Sequence, residues 1–235
     1  MKLQQLVVDT HNPSDHNENV VVARSNKIEP ELVAAAVQWS TAWGGILSGQ
    51  RSAIIYRQFD TGAGMLGRSY GTEFDDQGNR SLRTHWVIAS PNQIKCYYNN
   101  SVLLARTLSS DGGWFLQTAR FESVLPELEI ADCPINPFAY PSQQQDVQSA
   151  LRAIDVHKRI AVFDTDRPLN FVGEVLQAYS FGERAKISFA INRRINSVTP
   201  FTINGYSQAD TQLEQDLSQY DVYPLRVGVK LGQPS

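Results

Sequence analysis

Apolar and polar positions follow two rhythms along the chain, and the change of rhythm divides it. Leu3 to Asp9 is apolar and β-branched and ends in the polar cluster Thr10-His11-Asn12-Pro13-Ser14-Asp15, which predicts a strand and then a loop; Asn19 to Ser25 predicts a second strand. Pro30 presets a helix start, and Leu32, Ala36, Trp39 and Trp43 recur at helical spacing until Gly44-Gly45 ends the run. From Arg51 to about Gln117 the pattern breaks into short β-prone runs: Ser52 to Phe59, His85 to Ala89, Ile94 to Tyr98, Val102 to Ala105 and Trp114 to Leu116. Turn pairs such as Pro91-Asn92, Asn99-Asn100 and Asp111-Gly112 separate them. Short links between strands predict an antiparallel meander.

Pro126, Pro134, Pro137 and Pro141 mark an irregular connection, and alternating elements follow it. Ser142 and Gln145 have capping-box spacing ahead of a helical face made by Val147, Ala150, Leu151 and Ile154. Arg159 to Asp164 reads as a buried strand, and Pro168 opens a helix with Leu169, Val172, Leu176 and Tyr179 on one side and Gly182 at its end. Lys186 to Ile191 reads as the next strand, a βαβ or split arrangement. Strands at Phe201 to Tyr206 and Val222 to Val229 flank a weaker helix near Leu213 and Leu217.

Composition narrows the functional classes. Of the 235 residues 42% are hydrophobic, enough for one large domain or two tightly packed lobes. Lys and Arg number 21 against 24 Asp and Glu, a net charge of −3, so no global field draws a polyanion and nucleic acid is not an expected partner. No run approaches the roughly 18 apolar residues that span a bilayer, and Met1-Lys2-Leu3-Gln4-Gln5 is too polar for a signal-peptide core, so no membrane association is expected. The two cysteines, Cys96 and Cys133, lack zinc-knuckle or redox-pair spacing and fit free thiols in a reducing cytoplasm.

Several motifs invite chemistry. Gly62, Gly64 and Gly67 have the spacing of a dinucleotide fingerprint, but Arg68 to Asp76 offers no apolar helical face to follow it, so a hairpin loop is expected instead. Ile160-Ala161-Val162-Phe163-Asp164-Thr165-Asp166 is an apolar strand ending in two carboxylates, which can converge on a magnesium ion and an attacked phosphate. It resembles the first motif of haloacid dehalogenase-like phosphohydrolases, a resemblance that implies Asp164 as nucleophile and Asp166 as acid/base. The chain departs from that motif at Arg167-Pro168 and lacks the later acidic pair, so the preferred expectation makes Asp166 the N-cap of the following helix.

His11, His16, His85 and His157 have no serine elbow, cysteine nucleophile or Walker-type sequence to work with. Trp39, Trp43, Trp86 and Trp114 are expected as core or interface anchors, and Arg193-Arg194 as a solvated strand end.

A different comparison covers most of the chain. Val22-Ala23-Arg24-Ser25, Gly67-Arg68-Ser69-Tyr70-Gly71, Asp76-Gln77-Gly78-Asn79-Arg80, His85-Trp86-Val87-Ile88 and Glu183-Arg184-Ala185-Lys186-Ile187-Ser188-Phe189 together resemble the N-terminal domain of bacterial GTPase-associated proteins. The resemblance implies an adaptor in an NTP-dependent defence or signalling system, acting through another protein such as an NTPase.

The expected fold is therefore α+β: an antiparallel, β-rich lobe over 1–141 packed with a mixed α/β lobe over 142–235, the two able to form one continuous domain. The expected function is a non-enzymatic interaction module with no cofactor and no metal. The alternatives are a magnesium-dependent phosphohydrolase using Asp164 and Asp166, and a small-ligand-binding domain. An exposed apolar patch is expected on an edge of the first lobe or beside the proline-rich connection.

Overall fold

A computed structural model describes residues 1–10, 20–42, 45–74, 80–111, 114, 124–131, 138, 144–163, 165, 167–198, 200–207 and 211–227. In chain order the strands are β1 (Lys2–Thr10), β2 (Val20–Arg24), β3 (Ser52–Gln58), β4 (Gly64–Phe74), β5 (Arg80–Ala89), β6 (Leu128–Glu129), β7 (Ile160–Phe163), β8 (Phe189–Ile191), β9 (Ile203–Gly205) and β10 (Tyr223–Arg226). The helices are α1 (Pro30–Ala42), α2 (Pro91–Cys96), α3 (Ser101–Ser110), α4 (Gln144–His157), α5 (Pro168–Ala178), α6 (Phe181–Arg184) and α7 (Thr211–Gln219).

One mixed sheet runs in the order β10-β7-β9-β8-β3-β4-β5-β1-β2, with β6 added to the start of β1. From β8 to β2 the pairs are antiparallel, as the short turns between β3, β4 and β5 favour; β10, β7, β9 and β8 are parallel, with helical crossovers from β7 to β8 and from β9 to β10. The chain is an α+β protein, as its two hydrophobic rhythms suggest.

Both faces of the sheet are covered. Leu32, Ala36 and Trp39 of α1 pack on Leu6, Val8, Ile55, Met65, Trp86 and Ile88. Leu213 and Leu217 of α7 pack on Ala161 and Phe163. On the opposite face α3, α4 and α5 bury Val102, Val147 and Val172 against Tyr56, Leu66, Val87, Val162 and Phe189. β7 is buried at all four positions, which explains why its sequence reads as a continuous apolar run.

Two expected strands are helices instead. Ile94 to Tyr98 lies mainly in α2, because Ser90 and Gln93 form a reciprocal capping box and Pro91 occupies the first turn. Val102 to Ala105 lies in α3, where Asn100 caps the helix by accepting from the Val102 amide at 3.2 Å. Asn99-Asn100 is thus a link between helices, not a hairpin turn. The expected loop after Gly62 is shorter than its glycines suggest. The turn closes at Ala63 with Gly62 at φ +85°, and Gly64 onward is the long strand β4. A strand where a phosphate-binding helix would be needed removes the dinucleotide reading. Trp114 sits in a turn, and the rest of its expected strand falls outside the described residues.

Candidate functional site

Two of the pieces quoted for the resemblance, Gly67 to Gly71 on β4 and His85 to Ile88 on β5, lie on neighbouring strands that pair with each other. Asp9, Arg83, Tyr70 and Ser52 form one register row across β1, β5, β4 and β3; Val7, His85, Arg68 and Ile54 form the next. Strand alternation puts them on the face whose other rows pack on α3, α4 and α5, so this face turns from apolar to polar toward one end.

Arg83 donates from Nε and Nη2 to the two carboxylate oxygens of Asp9 at 2.6 and 2.5 Å. That fork is the largest cause of a raised guanidinium pKa. Arg68 donates to Ser52 Oγ at 3.4 Å and lies 5.8 Å over the Tyr70 ring. Burial pushes the Tyr70 pKa up to about 12, opposed by the neighbouring Arg68 and Arg83, and its hydroxyl donates to the Trp114 carbonyl at 3.1 Å.

His85 is fully buried, and desolvation lowers its pKa to about 4. Gln5 sets its tautomer. The Gln5 amide nitrogen donates to the Pro126 carbonyl at 2.8 Å, so its oxygen, 3.0 Å from His85 Nε2, accepts and Nε2 carries the proton. His85 Nδ1 is then a buried lone pair with no donor among the described residues. Ser25, from another resemblance-bearing piece, completes the link by donating to the Pro126 carbonyl and receiving the Gln5 backbone amide.

The other face holds a buried cation that was expected in solvent. Arg193 is fully buried, donates to Ser69 Oγ at 3.0 Å and to the Ser40 carbonyl near the end of α1 at 3.2 Å, and has its pKa pushed down to about 10 by burial. Ser69 also bonds Thr84, and Trp86 donates to Ser40 Oγ at 2.9 Å. This network ties α1 to the sheet. Arg194 is the half-buried partner of the pair, so only part of the solvated-end expectation survives.

Asp164 and Asp166 lie outside the described residues. Thr165 between them is buried and accepts the Arg167 amide through Oγ1 at 3.3 Å. The N-cap of α5 falls on Arg167, without a side-chain capping bond, so the cap expected at Asp166 sits one residue later. His157 stacks on Tyr223 with ring centroids 4.1 Å apart, while His11 and His16 lie outside the described residues. No cluster of three or more metal-ligating side chains occurs among the described residues. Cys96 is a free, exposed thiol; Cys133 lies outside the description. Trp39, Trp86 and Trp114 are buried, as anchors of the core, and Trp43 is not described.

Sequence patterns did not reveal the surface that stands out. Seven large apolar side chains are exposed among the described residues, and four of them lie at the end of the sheet where β5 finishes and β7, β8 and β10 begin: Tyr98 and Phe181 on two segments that hydrogen-bond each other, and Val156 and Tyr223 toward the β10 edge. Tyr179 links the middle of this end, within electrostatic reach of both Asp155 on α4 and Glu183 on α6. Tyr98 and Asn99 adopt φ +57° and +54°, a backbone that costs a non-glycine residue on the order of 1 kcal/mol or more. At the same end a groove of about 390 Å³ opens between Lys2, Lys27, Glu29, Ser90, Gln93 and Glu127. Val20 and Val124 are exposed at opposite ends of the β2 edge, Val124 bridging Arg24.

No helix among the described residues is long and apolar enough to cross a membrane. No protein-family model matches the chain, and no curated protein matches it in sequence.

Proposed function

We propose that this chain is a non-enzymatic interaction module, an adaptor of a bacterial GTPase-associated defence or signalling system that works in the cytoplasm. The observation that carries the reading is the exposure of Tyr98, Val156, Phe181 and Tyr223 at the same end of the sheet. Large apolar and aromatic side chains left in water along one end of a sheet are the residue types that anchor protein interfaces. The polar groups of the sheet centre support it from the other side: Asp9 with Arg83, Gln5 with His85, and Ser69 with Thr84 and Arg193 hold strands and helices to one another.

Affinity purification from the native host tests the reading. The expected result is one protein recovered in stoichiometric amount, an NTPase in this account. A chain that recovers no protein, and instead shows magnesium-dependent phosphatase turnover lost in Asp164→Asn, contradicts it and establishes the phosphohydrolase alternative.

A further inference from the structure

We infer that the turn between α2 and α3, together with α6, is a docking surface for an acidic segment of another protein that inserts a large apolar anchor side chain. The inference rests on the interaction-module reading and names the site and chemistry through which it acts.

The turn is built to hold Tyr98 outward. Inside it, the Asn99 amide donates to the Ile94 carbonyl at 3.1 Å and the Asn100 amide to the Tyr97 carbonyl at 2.8 Å. The Asn99 side chain donates to the Phe181 carbonyl at 2.7 Å, and that of Asn100 to the Gly173 carbonyl at 2.9 Å. Arg184 clamps the far side, donating to the carbonyls of Gln177, Tyr179 and Tyr98 at 3.0, 2.9 and 3.3 Å. Both asparagines are buried, while Tyr98 is 38% and Phe181 48% exposed. Glycine or asparagine suits a left-handed position at a helix end far better than tyrosine. The choice of tyrosine at 98 is therefore not explained by the turn itself, and its partial exposure on a turn tied to the likewise exposed Phe181 segment marks it as a contact residue.

Charge identifies the partner. Lys95, one turn before Tyr98, and Lys186, just after α6, are exposed, and neither is in an ion pair among the described residues. Arg184 adds a third positive charge, bonded only to neutral carbonyls in the contacts above. Two acids lie at the same end, Glu183, which accepts from Ser180 Oγ at 2.6 Å, and Asp155 of α4, which acts with it on Tyr179, so the three cations keep a positive excess of one. Two exposed aromatics on a fixed backbone beside an excess of positive charge complement a segment with carboxylates on either side of an apolar residue. Three cations on a chain of net charge −3 are too few to hold a nucleic-acid backbone through phosphate contacts, which favours protein over RNA.

The test is selection of a displayed library of random twelve-residue peptides on the full chain, with counter-selection on Tyr98→Gly. Glycine accepts φ +57° without strain, so this variant keeps the fold, and its thermal melting confirms that. The expected peptides carry at least two carboxylates flanking Trp, Phe, Tyr or Leu. Their affinity should fall tenfold or more in Tyr98→Gly and in Phe181→Ala, fall in Lys95→Glu, and return there when the peptide acids are changed to lysine. Enrichment of basic or neutral peptides, equal binding to Tyr98→Gly, no enrichment, or displacement of the peptides by a uridine 20-mer overturns the inference. A native partner that binds with full affinity to Tyr98→Gly also removes this surface but leaves the interaction-module reading standing; absence of any partner removes both.

Discussion

His85 shows how much a single buried side chain contributes to the behaviour of this sheet. Its pKa of about 4 lies below the 6.5 of an exposed histidine, so the unfolded chain binds the proton more tightly than the folded one. The contribution to stability is complete above pH 6.5 and is lost as the pH falls from 6.5 through 4, on the order of 3 kcal/mol in all. Urea unfolding of the wild type and His85→Gln between pH 7 and pH 4 isolates it. The wild type should lose more stability than the variant across that window, and parallel curves would contradict the assignment. At this scale the sequence was partly legible: His85 and Arg68 stood out in the pieces that carry the resemblance, but their adjacency depends on strand register. Arg193 was misread because a basic pair after a strand looks solvated unless the Ser40 and Ser69 acceptors are known to face it.

Among the elements, long periodic segments were readable and short apolar runs were not. β1, α1, β7 and α5 follow their expected hydrophobic periods, whereas Ile94 and Val102 belong to helices decided by the caps Ser90 and Asn100. The sheet edge formed by β10 also depends on one residue. The amides of Tyr223 and Val227 bond inward to the Arg159 and Phe163 carbonyls, so alternation turns position 224 toward the open edge, where proline has no N–H to offer. Pro224→Thr should restore a donor there and make the chain self-associate more strongly by sedimentation equilibrium. Association unchanged from the wild type would show that the proline does not guard the edge.

At the scale of the whole molecule, β3 and β8 pair directly and carry the sheet across the proline-rich connection. The antiparallel and parallel halves share one hydrophobic cluster, from Leu66 and Val87 to Val162 and Ile203. Thermal unfolding should therefore be one cooperative transition, seen at the same temperature by tryptophan fluorescence, whose reporters include Trp39, Trp86 and Trp114, and by far-ultraviolet dichroism. Two separated transitions would mean that the halves fold independently. The exposed end could not be read beforehand, because Tyr98 and Phe181 have the same residue types as the aromatics buried in the core, and only the assembled fold separates them. That end carries the central claim, and a photo-crosslinking residue placed at Phe181 in the native host tests it most directly. The expected result is a crosslink to one other protein, absent when the probe is moved to the distant Val20 and strongly reduced by Tyr98→Gly; no crosslink from Phe181, with an equal or stronger one from Val20, would contradict a docking role for this end.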